Sequence, residues 1–480
     1  MTGSGGNGTI RTKAPTRAER GKRMEIRQRE VSFPRPVLFL MERLAAGGHE
    51  GWAVGGCVRD SLLGRVPHDW DLCTDALPDQ MRECFAGLPV IETGLAHGTL
   101  TVLVDRVPYE VTTYRVDGAY TDHRRPAGVR FVGRLEEDLA RRDFTINAMA
   151  ARPGRLEDPF GGRQDLAAGR VRCVGEAKLR FEEDGLRILR AMRFAASLNF
   201  EVEEATAAAM EQTAPLLEYI SRERVFAELC RLLTGPGAAP VLERFPDLLQ
   251  WVLPEIGPCR GFATFHPTHC RDVWGHTLEA LGKSEPDLAV RWALLLHDLA
   301  KPGCFVRDEE GVGRCPGHGE LGALQAGQIL DRLRAPHKLR DQVVFLVRYH
   351  DASLPLTEKG VRAWLRKAGE ENLRRLLEVK RCDLAAHRPL EPIRRAREDC
   401  GRFEALLEQV LAQPPLWNMK DLAISGRELM ELGMKPGPDM GRLLQELFDQ
   451  VEEGTLPNEG QALCRAAADR LNKKKNPDAP

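Results

Sequence analysis

Gly55-Gly56-Cys57-Val58-Arg59-Asp60 is followed closely by Asp69-Trp70-Asp71. A glycine pair, a helix start carrying an arginine, and two carboxylates at i, i+2 thus fall in one short segment. Residues i and i+2 of a strand point to the same face. Asp69 and Asp71 are therefore expected to aim at one point, where two hard cations could sit on their oxygens. Gly55 and Gly56 let the backbone come close to a neighbour, and the N-terminus of the helix they open favours a phosphate. Together these are the parts for metal-assisted transfer of a nucleotide. An isolated Asp-x-Asp is usually a solvated strand end; the glycine pair at this spacing is what points to chemistry.

From Gly51 to about Pro159, short apolar segments alternate with glycine- and proline-bearing turns. Thr99–Val104 and Tyr109–Tyr114 read as strands, with Pro108 marking the turn between them. Segment 58–64 and the stretch after Pro78 read as helices, so this part is an α/β domain. After Asp158-Pro159-Phe160-Gly161-Gly162 the texture changes. Helical spacing dominates from about Lys178, and Leu186, Leu189, Ala191, Phe194 and Leu198 form an apolar stripe. Prolines at 254, 267, 302, 316 and 336 punctuate several helices. At 480 residues, several domains are expected. A net charge of −1 means that any grip on nucleic acid must come from local patches. Twelve cysteines without a C-x-x-C pair fit cytosolic thiols better than disulfides or structural zinc. No apolar run approaches the roughly 18 residues a membrane helix needs. The polar, basic start (Arg11, Lys13, Arg17, Arg20) is expected to be a disordered leader rather than a secretory signal. A cytoplasmic protein is expected.

Further pieces extend the opening feature: Arg141-Arg142-Asp143-Phe144-Thr145-Ile146-Asn147-Ala148, then Glu183-Asp184-Gly185-Leu186-Arg187, and Arg222…Glu228. In this order the series resembles the class II tRNA nucleotidyltransferases, the CCA-adding enzymes, and their bacterial poly(A) polymerase relatives. The resemblance spans about residues 34–460. It implies an α/β nucleotidyltransferase head with a palm-like mixed sheet, followed by an all-α neck, body and tail. It also implies addition of nucleotides to a tRNA 3′ end from CTP and ATP, with magnesium on Asp69 and Asp71 and a further catalytic carboxylate at Glu110. A solvated strand residue is the competing reading of Glu110. By the same resemblance, Asp143 and Asn147 meet the ribose, Arg190 and Arg193 lie along the triphosphate, Arg59 and Asp60 orient it, and Arg142 joins the nucleotide site.

Asp184 and Arg187 stand i, i+3 and would share one helix face. A carboxylate accepts from an exocyclic amine, and a guanidinium donates to a ring nitrogen. Cytosine and adenine present that same order, whereas uracil and guanine reverse it. One Asp–Arg pair can thus take CTP and ATP and refuse UTP and GTP, because the wrong base leaves buried groups unpaired. An ordinary surface salt bridge would show the same spacing. The loop Arg115–Pro126, rich in turn formers and charge, resembles the family's flexible loop that assists the switch from C to A addition.

A second constellation lies in the helical part: His276, His297-Asp298, His318, His350 and Asp383. It resembles an HD-type metal phosphohydrolase. An adjacent imidazole and carboxylate at a helix end can share a divalent cation, and a distant His and Asp close the shell. The metal's identity is left open. His266 and His269 fall outside the pattern. Near the end, Gly433-Met-Lys-Pro-Gly-Pro438 with Lys435 and Arg442 resembles the family's tRNA-binding tail; a loop and helix cap without ligand fits equally well.

The expected organisation is a basic tail (1–33), the head (34–165), a helical neck and body (166–255), an HD-type helical domain (256–400), an RNA-binding helical tail (401–472) and a disordered end (473–480). The alternatives are a poly(A) polymerase, an A-adding tRNA nucleotidyltransferase, or an RNA hydrolase using the HD-type site alone. The oligomeric state is not legible.

Overall fold

The computed structural model describes residues 26, 28–92, 94–118, 128–412, 419–452 and 454–475. The leader up to residue 25, most of the charged loop 115–126, and residues 476–480 lie outside the described residues. The chain divides into two compact units, Met1–Pro254 and Glu255–Pro480.

In the first unit, the strands among the described residues are β1 (Gly51–Val54), β2 (Asp71–Thr74), β3 (Val90–Ile91), β4 (Thr99–Val104), β5 (Val107–Thr113), β6 (Arg115–Asp117), β7 (Val129–Phe131), β8 (Ala150–Arg152), β9 (Arg155–Glu157), β10 (Arg170–Val171) and β11 (Glu201–Val202). Seven of them form one sheet in the order β3-β4-β5-β2-β1-β8-β9. β1 pairs antiparallel with β2, whereas β2 runs parallel to β5, so the sheet is mixed. β1 is buried at every residue, as a central strand covered on both faces should be. Trp52, Val54 and Cys73 pack there with Tyr114, Leu139 and Ala150. β4 alternates, with Leu100 and Val102 turned into the core.

The turn between β4 and β5 lies at Asp105-Arg106, not at Pro108. Both turn residues have positive φ (53° and 66°), the conformation whose twist matches a tight hairpin. Pro108 sits inside β5, opposite Leu103. The packed chain also starts earlier than residue 34. Arg163 donates to Ile26 O (3.3 Å) and Arg29 O (2.7 Å), and Ile26 is buried.

Helices complete this unit, among them Ala177–Glu183, Leu186–Leu198 and Arg222–Leu233. Leu186–Leu198 buries its apolar residues and ends at Asn199, whose left-handed φ of 56° closes it.

Among its described residues the second unit is helical apart from one small hairpin, Val306–Arg307 with Gly313–Arg314. Its first helix, Val273–Gly282, is capped by the Asp272 carboxylate accepting from Gly275 N at 2.8 Å. Leu288–Leu296, His318–Arg332, His337–Tyr349, Glu358–Ala386 and Glu391–Leu411 follow. Glu358–Ala386 is broken at Gly369, whose φ is 71°. Gly426–Glu431, Pro438–Glu452 and Gly460–Lys475 close around their own core of Ile424, Leu429, Leu447 and Leu463. The last helix runs through Lys475, so residues 473–475 are helical rather than part of a disordered end. Among the described residues no single helix is long and apolar enough to cross a membrane. The expected class, an α/β head on a mixed sheet followed by helices, is the one observed.

Candidate functional site

β2 begins at Asp71, so Asp69 precedes the strand rather than sharing it. The parallel register of β2 and β5 sets Asp71 directly beside Glu110. The Asp71 carboxyl is raised above its ordinary range, first by desolvation and then by the charge of Glu110, with Asp69 adding to it and Arg142 opposing. Three carboxylates therefore load one sheet end with negative charge, which suits a hard divalent cation.

Behind them, Asp138 is fully buried and accepts from Arg141 (2.9 and 2.8 Å) and from Arg142 Nη2 (3.2 Å). Desolvation opposes its ionisation, but the two guanidinium groups hold it below the usual carboxylate range. Gly55 has φ +77°, and a Cβ on it would stand 2.9 Å from Arg142 Nη1. A Cβ on Gly56 would meet only Arg59 Nη2, at an ordinary 3.7 Å. The glycine pair thus divides: Gly55 gives way to this chain's own arginine, and Gly56 leaves space open.

Asp143 and Asn147 are buried and joined, Asn147 Nδ2 donating to Asp143 Oδ1 at 3.0 Å. Asp143 Oδ2 takes two bonds from Arg190, Nε at 2.8 Å and Nη2 at 2.5 Å. Burial works against its charge, but Arg190 and Asn147 depress its pKa strongly. Asn147 Oδ1 in turn accepts from Arg59 Nη1 at 2.7 Å, and Arg59 forks onto Asp60 with both contacts at 2.9 Å. Arg193 Nε donates to Glu228 at 2.5 Å. Arg59, Arg190 and Arg193 all lie over the Phe194 ring, at 5.1, 5.5 and 3.8 Å from its centroid. Phe194 is the aromatic post of this arginine cluster, and a reading of charges alone passes over it.

Asp184 and Arg187 do not share a helix face. Asp184 has extended backbone angles (φ −143°, ψ 103°) in the break between Ala177–Glu183 and Leu186–Leu198. Its carboxylate accepts from Leu186 N, two residues on, at 3.1 Å, and from Arg224 Nη2 at 2.7 Å. Arg187 donates to Glu183 (2.5 Å) and to the carbonyls of Arg180 and Arg141, each at 3.1 Å. Each member is thus held by a different partner. Arg224 escaped the sequence reading, although it stands four residues before Glu228 on the same helix face.

The second unit brings all six predicted residues together. His276 Nε2 lies 2.7 Å from Asp383 Oδ1, and His297 Nε2 lies 3.2 Å from Asp298 Oδ2. His318 Nε2 and His350 Nε2 are 3.1 Å apart, and each is 3.8 Å from Asp298 Oδ1. The Nδ1 atoms of His297, His318 and His350 donate to the carbonyls of Leu294, Cys315 and Val347 at 2.8, 2.9 and 2.7 Å. This arrangement directs each Nε2 lone pair inward, as metal-ligating histidines require. The Asp298 carboxylate is buried, with Oδ2 held by Lys301 and Oδ1 without a hydrogen bond. Burial opposes a charge on His297, yet Asp298 and Asp383 push its pKa up to about 10. Burial and the charge of His297 instead push His350 down to about 4, and the ligand atoms of the centre group as His276–His297–Asp298 and Asp298–His318–His350.

Lys301, one helical turn beyond Asp298, meets it at 2.7 Å. Lys380 donates to the carbonyls of His350 and Ala352 at 2.9 and 2.8 Å and pins that loop. A cavity of about 400 Å³, lined by His350, Asp351, Asp383, Leu384, His387 and Ile393 among others, opens beside the centre. His387 caps the helix that carries Asp383, four residues on, a spacing that could have found it. In the tail, Lys435 and Arg442 are exposed, and Arg442 donates to Asp439 at 2.6 Å.

Residues 51–172 match the family model of the poly A polymerase head domain, and 320–467 match a model of tRNA nucleotidyltransferase domain 2. The chain is 35% identical to the CCA-adding enzyme of Levilactobacillus brevis over 92% of its own length and 98% of that protein. It is likewise 35% identical to the CCA-adding enzyme of Geobacillus thermodenitrificans, over 89% and 95% of the two chains. Among solved structures it is similar to the Bacillus stearothermophilus CCA-adding enzyme in complex with CTP, with a TM-score of 0.59 and 29% identity, covering 93% of this chain and 100% of the other. The fold is also similar to that of the Thermotoga maritima CCA-adding enzyme complexed with tRNA, with a TM-score of 0.55 and 19% identity, covering 93% and 98%. The chain belongs to the family of the CCA-adding enzymes, which are tRNA nucleotidyltransferases.

Proposed function

We propose that this protein adds or repairs the 3′-terminal CCA of tRNA without a template, using CTP and ATP. The observation that carries this is the register of Asp71 beside Glu110 with Asp69 close by. The CCA-adding relatives, similar over nearly the whole chain, support this reading over a poly(A) polymerase or an A-adding enzyme.

Asp69, Asp71 and Glu110 would hold magnesium. When bound, it would acidify the RNA 3′ hydroxyl and neutralise the departing pyrophosphate. Arg59, Arg190 and Arg193, stiffened by Phe194, line the triphosphate, with Arg142 behind the carboxylates and Gly56 leaving room for the chain of phosphates. Asp143 and Asn147 hold the ribose. Asp184 and Arg187 read the base edge, exchanging Arg224 and Glu183 for the nucleotide as it enters. Lys435 and Arg442 bind tRNA phosphates. The head, with the segment from Ile26 packed on it, is followed by the helical neck and body up to about residue 255, an HD-type module up to about residue 411, and an RNA-binding tail that ends in the helix Gly460–Lys475. Action on tRNA and twelve free thiols suit a cytoplasmic setting.

A second activity is supported by the inward-facing imidazoles and the buried Asp298 and Asp383 carboxylates of the second centre. His276, His297, Asp298, His318, His350 and Asp383 would hold a divalent metal and hydrolyse a phosphoester, such as a phosphatase or cyclic phosphodiesterase substrate. Pyrophosphate release from CTP on a tRNA lacking its 3′ end tests the first activity. It should vanish in Asp71→Asn and persist in Asp298→Ala.

A further inference from the structure

Two histidines outside the predicted set stand against the second centre. His269 precedes the helix Val273–Gly282, and His387 closes Glu358–Ala386. The ring centroids of His269 and His387 are 4.6 Å apart, those of His276 and His387 4.6 Å, and those of His269 and His276 5.3 Å. One ligand nitrogen from each of the three lies within 4.8 Å of the others. Around a tetrahedral cation with metal–nitrogen bonds of about 2.05 Å, ligand atoms stand about 3.3 Å apart, so modest side-chain movement would close the set.

Two details orient the rings. His387 Nδ1 donates to Asp383 O at 2.9 Å, which leaves Nε2 as its lone-pair nitrogen. His269 Nδ1 is buried and has no hydrogen-bond partner, although buried polar atoms are nearly always paired. Lys301 Nζ lies 3.5 Å from His269 Nε2, but its charge is matched by Asp298 at 2.7 Å.

We propose that His269, His276 and His387 bind a late first-row transition cation of the zinc, cobalt or nickel type, beside the carboxylate-bearing centre. An all-imidazole donor set selects that class over magnesium or calcium, which prefer oxygen. A fourth position remains for water or a substrate oxygen. The site shares His276 with the HD-type centre but does not depend on that centre being a hydrolase.

Full-length protein freed of metal is titrated with Co²⁺, read by visible d–d absorption and by bound metal after gel filtration. The double variant His269→Ala/His387→Ala should bind one equivalent less than wild type and lose the corresponding band. Asp298→Asn should keep that equivalent, even under a large excess of Mg²⁺. His269→Gln, a single change on a connecting segment, should weaken that equivalent at least about tenfold while leaving the circular dichroism spectrum unchanged. Equal stoichiometry and spectra for the double variant and wild type would overturn the proposal, as would displacement by Mg²⁺ or unchanged affinity in His269→Gln. Wild-type protein that binds this equivalent and no other would overturn only the hydrolase reading.

Discussion

Arg224 Nη2 donates to Asp184 across 2.7 Å, so the carboxylate proposed to read a base is already held by a cation from the neighbouring helix. The pairing fixes the carboxylate's direction without help from Arg187. It also means that nucleotide entry exchanges one partner for another rather than filling an idle group. Arg224→Ala should lower kcat/KM for CTP and ATP about tenfold, equivalent to about 1.4 kcal/mol. It should also narrow the gap between CTP and UTP. Asp184→Ala should narrow that gap further. Steady-state kinetics with the four nucleoside triphosphates checks both; a variant as selective as wild type would refute the pairing.

Glu110 was ambiguous as a strand residue, and its register beside Asp71 removes the ambiguity of position. Glu110→Gln should reduce the addition rate by at least about a hundredfold, the scale of losing one charge-stabilising group. Its thermal midpoint should stay at or above that of wild type, because the like charge beside Asp71 is relieved. Single-turnover addition and thermal unfolding measure the two effects.

Asp138 holds Arg141 and Arg142 from a fully buried position. Asp138→Ala leaves both guanidinium groups without their carboxylate and should destabilise the first unit by about 3–5 kcal/mol. Urea unfolding followed by a first-unit probe, the buried Trp52, reads it. A loss below about 1 kcal/mol would contradict the assignment.

Asp143 is ionised by Arg190 and Asn147 despite its burial, so its folded pKa lies below the unfolded value of about 3.9. A carboxyl depressed in the folded state contributes stability above about pH 4 and loses it as pH falls toward the folded pKa. Stability should therefore drop steeply below about pH 4, and Asp143→Asn should flatten that drop. Unfolding free energies at pH 7, 4 and 3 provide the comparison.

Much of this was legible before any coordinates. Gly55, Asp69 and Asp71 are legible from their local spacing and chemistry, whereas Asp143, Asn147 and Arg190 are legible through the family resemblance. The six residues of the second centre are legible through their resemblance to the HD-type phosphohydrolases, and each sits at a helix end or one turn from it. What sequence spacing could not give was pairing across elements. Asp71 meets Glu110 only through the parallel register of β2 and β5. The i, i+3 spacing of Asp184 and Arg187 cannot reveal the break between the two helices, where Asp184 takes extended backbone angles. Phe194 looked like plain core until three arginines were found around it. Pro108 looked like a turn because proline usually is one, whereas the positive φ of Asp105 and Arg106 made the hairpin.

The central claim is tested most directly by the sequence of the product. Wild-type protein is incubated with tRNAs ending at the discriminator base, at C and at CC, with CTP and ATP singly and together, and the 3′ ends are sequenced. The account predicts CCA on all three substrates with both nucleotides, addition stopping at CC with CTP alone, and no growth beyond the terminal A. Long A tails, or A added only to the tRNA ending in CC, would contradict it.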